Sequence, residues 1–162
     1  MFKNLLVPTD GTELSKSTSR AAVRFAQALG AKITAYHARP QLSSSTFSAA
    51  VFDGDVVDEK TRAQFEKAAE IGVERSLGFV QTLCNEAGIE CNAISTTPDR
   101  PHQGIVAAAS QSGADLIFMA SHGRKGFQSI MIGSETQHVV TQSSIPVLVF
   151  RWGDTEDGLE QN

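Results

Sequence analysis

The sequence contains few cysteines and no long hydrophobic run. Its 162 residues include only two cysteines, Cys84 and Cys91, which form neither a Cys-x-x-Cys motif nor a zinc-binding pattern. Cys84 lies on the apolar face of a predicted helix, where we expect a small buried hydrophobic residue. Because no apolar stretch is long enough to span a bilayer and residues 1–4 lead directly into a strand, we expect neither membrane insertion nor a signal peptide. These absences together predict a cytoplasmic protein.

The sequence also lacks an excess of positive charge. It has 14 Lys and Arg against 18 Asp and Glu, which gives a formal net charge of −4 at pH 7. Nucleic-acid-binding domains usually carry a basic surface, so we expect no nucleic-acid partner. The length suits one domain with a substantial core, which we place at residues 1–152. Residues 153–162 are acidic and carry no apolar cluster, so we expect a disordered tail.

Apolar segments of strand length alternate with segments of helical period along the chain. Strands are predicted at residues 3–7, 32–38, 89–96, 116–119 and 146–150, and helices at 10–29, 57–87, 101–112 and from 133 onward. This alternation predicts an α/β fold with a parallel sheet. Cys91 and Ala93 alternate with polar residues, which places the third strand at an edge. Residues 39–56 show no period, so we expect a functional lid or a disordered loop.

The first two predicted helices each have an apolar face that we expect to pack on the sheet. In the first helix this face consists of Leu14, Thr18, Ala22, Phe25 and Leu29. In the second helix it consists of Phe65, Ala69, Val73, Leu77, Val80 and Cys84.

The segment from residue 115 to 150 carries the clearest functional signal. A short apolar strand is followed by a small, glycine-rich loop at residues 120–126, and then by a helix that begins at Gly133 and Ser134. Ser134 and Gln137 have the spacing of a capping box. A helix that begins at the carboxyl edge of a parallel sheet presents backbone N–H groups and a positive dipole end. This order of elements predicts an anion site, and phosphate is the expected anion.

Asp10 lies at the same edge, after the first strand, and has two interpretations. Asp10 and Glu13 have capping-box spacing, so Asp10 is either a helix N-cap or a carboxylate in a ligand-binding crevice at this edge of the sheet. In the crevice it would contact ribose hydroxyls or a phosphate-bound metal ion.

Two common phosphate-binding motifs are absent. Gly126 is followed by Phe127, which excludes a P-loop, and there is no G-x-G-x-x-G fingerprint. The sequence instead has Ala-Ser-His-Gly from Ala120, then nine residues, then Gly-Ser, together with the N-terminal Pro-Thr-Asp at residues 8–10. This combination resembles the universal stress protein family, whose nucleotide-binding members have Gly-x-x-Gly, nine residues and Gly-Ser/Thr here. Ala120 replaces the first glycine of that motif.

The resemblance implies a fold, a ligand and an assembly. The fold is a single Rossmann-like domain with an open five-stranded parallel sheet in the order 3-2-1-4-5 and helices on both faces. The ligand is ATP or AMP, with Mg2+ bound through the phosphates, and the assembly is a homodimer formed through the edge strand 146–150. The implied nucleotide-binding residues are Pro8, Thr9, Asp10, Ala38, Met119, Ala120, His122, Gly123, Arg124, Gly133, Ser134 and Glu135.

Several of these residues also have a simpler interpretation. Gly123 and Gly133 either serve only as turn glycines or allow phosphate to approach the backbone. Ser134 is either a helix cap or a phosphate ligand, and Arg124 is either a phosphate partner or a solvated loop charge. No Ser, Cys or acidic residue stands beside His122 in a recognisable nucleophile arrangement, so we interpret it as a hydrogen-bonding loop residue rather than a catalytic one.

The sequence therefore predicts a stress-response regulatory protein that binds adenine nucleotide with little or no hydrolysis. The main alternative is a dimeric interaction module of the same fold that has lost its nucleotide, an alternative favoured by Ala120. A hydrolase is less well supported, since no water-activating base stands beside the phosphate loop. Regulatory protein partners remain open.

Overall fold

The computed structural model describes residues 1–41, 59–121 and 132–151. The secondary-structure elements of these ranges are β1 (Asn4–Pro8), α1 (Glu13–Leu29), β2 (Lys32–Ala38), α2 (Glu59–Glu86), β3 (Cys91–Thr96), α3 (Pro101–Gln111), β4 (Leu116–Ala120), α4 (Ser134–Gln142) and β5 (Val147–Phe150). None of the helices within these ranges is long and apolar enough to cross a membrane. Residues 42–56 of the predicted loop 39–56, and the predicted tail, lie outside the described residues.

The five strands form one parallel sheet in the order β3-β2-β1-β4-β5. This confirms the predicted α/β class and the strand order implied by the family resemblance. β3 is at one edge, as predicted, and β5 is at the other. β1 and β4 lie next to each other at the centre, with Leu5 opposite Leu116 and Leu6 opposite Ile117.

The sheet has a hydrophobic core on each face because successive side chains of a strand point to opposite sides. Leu5 and Val7 pack against α1 and α2, whereas Leu6 packs against α3 and α4. All three side chains are completely buried, which stabilises the fold by about 1.5–3 kcal/mol each. The two-sided burial explains why β1 reads as a continuous apolar run.

The N-cap of α1 differs from the sequence prediction. Thr12, not Asp10, is the N-cap, and its hydroxyl accepts a hydrogen bond from the Ser15 N–H at 3.3 Å. Asp10 lies two residues before the cap and accepts from both the Thr12 N–H and the Thr12 hydroxyl. The predicted capping box of Asp10 and Glu13 is therefore wrong, because an adjacent threonine satisfies the helix end.

The buried face of α1 is also rotated from the predicted one. Leu14, Phe25 and Leu29 are only partly buried. The residues at the centre of the contact are small and are Ser15, Thr18, Ser19, Ala22, Val23 and Ala26. Small side chains at this contact let the helix axis approach the sheet closely.

Only the second half of α2 packs on the sheet. Burial begins at Val73, whereas Phe65, predicted to face the core, is 48% exposed. A helix of 28 residues is about 42 Å long, and a strand of five to seven residues spans only about 17–24 Å. The first half of α2 therefore extends past the sheet, which periodicity alone does not indicate.

Cys84 is fully buried, as predicted, and its thiol contacts that of Cys91 at the start of β3. The contact with Cys91, followed by burial, raises the pKa of the Cys84 thiol, and the same contact lowers the pKa of Cys91. Further along β3, Ala93 is exposed, so the predicted alternation is only partly correct. An edge strand has a neighbour on one side only, which leaves more of its side chains in solvent.

α3 packs closely over Tyr36 of β2. The Tyr36 side chain is completely buried, and its hydroxyl forms a 2.8 Å hydrogen bond with the Thr96 hydroxyl. Burial raises the pKa of this phenol. A Cβ atom at Gly104 would collide with the Tyr36 hydroxyl and would lie 2.7 Å from Pro98 Cγ. The close contact between α3 and the sheet therefore requires glycine at position 104.

Candidate functional site

The carboxyl ends of β1 and β4 form a crevice at the centre of the sheet. The chain leaves β1 into α1, which packs on one face, whereas α4, the helix that follows β4 in sequence, packs on the other face. Neighbouring strands whose connections diverge in this way leave an opening between them, where α/β proteins bind ligands. The N-termini of α1 and α4 both lie at this edge, so the positive ends of two helix dipoles border the crevice.

On the β1 side, three predicted residues follow one another at the strand end. Pro8 is the last residue of β1, and the Thr9 N–H donates to the Tyr36 carbonyl at 2.9 Å. The buried Thr9 hydroxyl is 3.2 Å from the Ser15 hydroxyl, which ties the loop to α1. Asp10 is half-buried, and its Oδ1 accepts the Thr12 hydroxyl at 2.6 Å. Thr12 therefore fixes the orientation of the Asp10 carboxylate.

Gly11 allows α2 to approach this loop. Its φ of +76° is in the left-handed region, and a Cβ atom there would lie 2.5 Å from the Ser76 hydroxyl. Both the backbone conformation and the available space therefore favour glycine.

On the β4 side, two hydrogen bonds join the strand end to the start of α4. The Gly133 N–H donates to the Ser121 carbonyl at 2.7 Å, and the Thr136 hydroxyl donates to the Ala120 carbonyl at 2.9 Å. Ala120 is the last residue of β4, and no described residue other than glycine has a positive φ. Ala120 thus has an ordinary strand conformation, in which a methyl group causes no backbone strain.

The N-cap of α4 is Gly133, so the predicted capping role of Ser134 is wrong. Ser134 is the first helical residue, and among the described residues no side chain caps this helix. Gly133 has φ −60° and ψ 150°, an extended conformation that any residue adopts. Because the capping position has no side chain, the N–H groups of the first turn are available to an external acceptor such as phosphate.

Glu135 is directed toward α3. Its Oε2 accepts the backbone N–H of His102 at 2.9 Å and lies 3.0 Å from His102 Nδ1. The His102 ring is buried and stacks on His138, with 4.5 Å between the ring centroids. Glu135 was predicted to contact the nucleotide, and His102 was not among the predicted site residues. No pattern in the sequence pairs His102 with Glu135, because the two residues are 33 positions apart.

Two further predicted residues lie at or next to the carboxyl ends of their strands. Met119 is 6% exposed and its side chain lies in the core beneath α3 and α4. Ala38 ends β2, next to the central strand, where it pairs with Thr96. The predicted residues His122, Gly123 and Arg124 lie outside the described residues.

A separate groove lies beside this crevice. It has a volume of about 610 Å³ and runs between the end of β2 and the first half of α2. Its lining residues are Arg39, Pro40, Ala63, Glu66, Lys67, Ala69, Glu70 and Thr97. None of the predicted site residues within the described ranges lines this groove. These ranges also contain no cluster of His, Cys, Asp and Glu side chains able to hold a metal ion.

Comparison of the sequence with known families gives a match over nearly the whole chain. The profile of the universal stress protein family matches residues 1–151. A universal stress protein of Thermus aquaticus is 29% identical over 151 residues, which cover 93% of this chain and all of the relative. The Bacillus subtilis universal stress protein YxiE is 26% identical, with 93% of this chain and all of the relative covered.

The solved structures that resemble this chain have the same fold. A universal stress protein of Methanocaldococcus jannaschii superimposes with a TM-score of 0.73 at 24% identity, covering 96% of this chain and 99% of the other. A universal stress protein solved in complex with cAMP has a TM-score of 0.65 at 21% identity, covering 92% and 97%. An Arabidopsis thaliana family protein with AMP bound has a TM-score of 0.65 at 15% identity, covering 94% and 93%. An Archaeoglobus fulgidus protein was solved with dAMP.

Proposed function

This chain belongs to the universal stress protein family, and we propose that it is a cytoplasmic regulatory protein that binds an adenine nucleotide in the crevice between β1 and β4. The observation that carries the proposal is the start of α4. Gly133 leaves the helix without a side-chain cap, while the Gly133–Ser121 and Thr136–Ala120 hydrogen bonds hold the helix end against β4. An uncapped helix end fixed in place at a sheet switch point suits a phosphate group.

The ligand class follows from what the related proteins bind. cAMP, AMP and dAMP share an adenine base, a five-carbon sugar and one phosphate. We therefore expect AMP or ATP to bind here, with the phosphate at the N–H groups of Ser134 and Glu135. The Ser134 hydroxyl would contact the same phosphate, since it is exposed at the first helical position.

The β1 side of the crevice suits the sugar. The Asp10 carboxylate lies at the strand end and is oriented by Thr12. A carboxylate accepts hydrogen bonds from the hydroxyl groups of ribose. Pro8, Thr9 and the backbone of Ala38 would form the wall toward the base, with Met119 and Ala120 as the floor. His122, Gly123 and Arg124 would complete the phosphate side. Mg2+ would bind through the phosphates and neutralise part of their charge.

We expect the protein to signal by binding the nucleotide rather than by hydrolysing it. The His102 ring is buried and its Nδ1 lies 3.0 Å from Glu135 Oε2, and we assign this pair to the contact between α3 and α4 rather than to water activation. Nucleotide binding would then shift the conformation of a surface to which a partner protein binds.

The second candidate function is a dimeric interaction module without nucleotide. It is favoured by Ala120, which stands where nucleotide-binding members of the family have glycine. Both candidates share a homodimer formed through residues 146–150, so dimerisation does not separate them.

Calorimetric titration separates the two candidates. We expect saturable heat when ATP or AMP is added at millimolar concentration, with Mg2+ required more by ATP than by AMP. Adenosine without phosphate is the matched control and should bind more weakly. Absence of heat with both nucleotides would reject nucleotide binding and favour the interaction module. Mass spectrometry of the denatured, freshly purified protein would detect nucleotide already bound.

A further inference from the structure

Three side chains from two helices meet beside the start of α4. His102, the second residue of α3, lies between Glu135 and His138, which are three residues apart on α4. His102 is 3% exposed, and the Glu135 side chain is 47% exposed. The histidine is thus inserted against α4, while the carboxylate that holds it stays near the surface.

We propose that Glu135 is a positioning residue that acts through His102, joining the first turn of α4 to the N-terminus of α3 and so holding the phosphate-binding N–H groups in place. The inference rests on the proposed function and assigns the Glu135 side chain a role other than direct contact with the ligand, while the Glu135 backbone N–H remains a phosphate donor.

α3 needs this carboxylate because its own sequence supplies no cap. Arg100 is the N-cap residue and forms no side-chain capping bond, and Pro101 has no N–H. The His102 N–H is therefore the first donor of the helix, and Glu135 Oε2 accepts it at 2.9 Å. A carboxylate at a helix N-terminus is also stabilised by the helix dipole.

The arrangement fixes α4 on two sides. The Thr136 hydroxyl holds the first turn to the Ala120 carbonyl of β4, and Glu135 holds it to α3. Two attachments in different directions oppose both translation and rotation of the helix end. The N–H groups of a helix N-terminus point along its axis, so small rotations of this end misdirect them.

The orientation of the Glu135 side chain also affects the repulsion between its carboxylate and a bound phosphate. A carboxylate beside a phosphate would weaken binding by charge repulsion. The hydrogen bonds of Oε2 with the His102 N–H and the His102 ring direct the carboxylate toward α3. A ligand contact through the same oxygen would compete with these two hydrogen bonds.

The test is a double-mutant cycle in AMP affinity. Glu135→Ala should weaken AMP binding about fivefold, because the lost contact resembles a helix N-cap. His102→Ala should weaken it less, since its backbone N–H remains. The double variant should match Glu135→Ala alone, because both residues act in one contact. Glu135→Gln should restore most of the affinity, since an amide oxygen accepts the His102 N–H.

The control is Glu74→Ala, an exposed glutamate on α2, which should leave affinity unchanged. Amide hydrogen exchange without nucleotide gives a second measurement. Glu135→Ala should accelerate exchange at Gly133 and Gln137, whose N–H groups bond to Ser121 and Gly133 respectively.

Three results would overturn the inference. Losses that add in the double variant would mean that Glu135 contacts the ligand directly. If the wild-type protein binds AMP and Glu135→Ala binds it with the same affinity, the positioning role is rejected while the proposed function stands. A wild-type protein that does not bind AMP would reject the proposed function and this inference with it.

Discussion

The Thr136 hydroxyl of α4 donates a hydrogen bond to the Ala120 carbonyl of β4 across 2.9 Å. This bond joins the residue that departs from the family's glycine motif to the helix that would receive the phosphate. Ala120 is therefore bonded to α4 through its backbone carbonyl, and this hydrogen bond does not depend on the Ala120 side chain. The methyl group extends from a regular strand, so the backbone does not require glycine here.

We predict that Ala120→Gly changes nucleotide affinity less than tenfold, which is about 1.4 kcal/mol. The carbonyl that accepts from Thr136 is retained, and the backbone already has negative φ. Glycine in a strand should lower the free energy of unfolding by about 0.5–1 kcal/mol. Calorimetry with AMP and thermal melting measure the two effects. A gain in affinity well beyond tenfold would mean that the methyl group obstructs the ligand.

Gly133→Val should abolish nucleotide binding. The extended backbone of Gly133 accommodates valine without strain, so the added side chain acts through the space it occupies at the helix N-terminus. We expect a small loss of stability, about 1 kcal/mol, because valine is a poor N-cap. The measurements are AMP titration and thermal melting of the same preparation. Loss of folding in parallel with loss of binding would make Gly133 a structural residue only.

Two helical glycines should respond oppositely to alanine. Gly104→Ala should lower the free energy of unfolding by about 1–3 kcal/mol, because its Cβ would collide with the Tyr36 hydroxyl and Pro98. Gly78→Ala in α2 should raise it by about 0.5–1 kcal/mol, since nothing lies within 4 Å of the added atom. Denaturant unfolding of both variants tests the pair. Equal effects would show that α3 does not depend on close contact with Tyr36.

Val149→Lys should convert a dimer into a monomer. β5 is an edge strand, and residues 146–150 include no charge that would oppose pairing with a second copy. Leu148 and Phe150 pack on one core cluster and Val147 on the other, whereas Val149 belongs to neither cluster of the described residues. Val149 is therefore the position at which a charge does least damage to the core.

Sedimentation velocity at tens of micromolar measures the change. Ile71→Lys on α2 is the matched control, because Ile71 is an exposed apolar residue far in sequence from β5, and it should remain dimeric. A wild-type protein that is monomeric under these conditions would contradict dimerisation through residues 146–150.

The fold could be predicted from sequence because its signals are local. β1 and β4 are continuous apolar runs since both faces of a central strand are buried, and β2 was predicted with its observed bounds. The strand order required the family resemblance, since periodicity does not determine which strands are neighbours. The caps were predicted incorrectly at both Asp10 and Ser134. Several polar residues at a helix start compete for one role, and only the backbone conformation decides between them.

The contact between Glu135 and His102 could not be predicted from the sequence. The two residues are 33 positions apart, and neither belongs to a recognisable motif with the other. The pair forms because α3 lacks a capping side chain of its own and α4 packs beside it on the same face of the sheet. Because the N-terminus of α3 is capped by a side chain from α4, the contact can be identified only from the structure.

The most direct test of nucleotide binding at the β1–β4 crevice is a map of backbone amide shifts during titration with AMP, measured by heteronuclear NMR. We predict that the largest shifts occur at residues 9–12 and 133–136, on the two sides of the crevice. Gly133→Val should remove them. Shifts concentrated at residues 63–70, along the groove on α2, would place the ligand elsewhere, and no shifts at saturating AMP would contradict the account entirely.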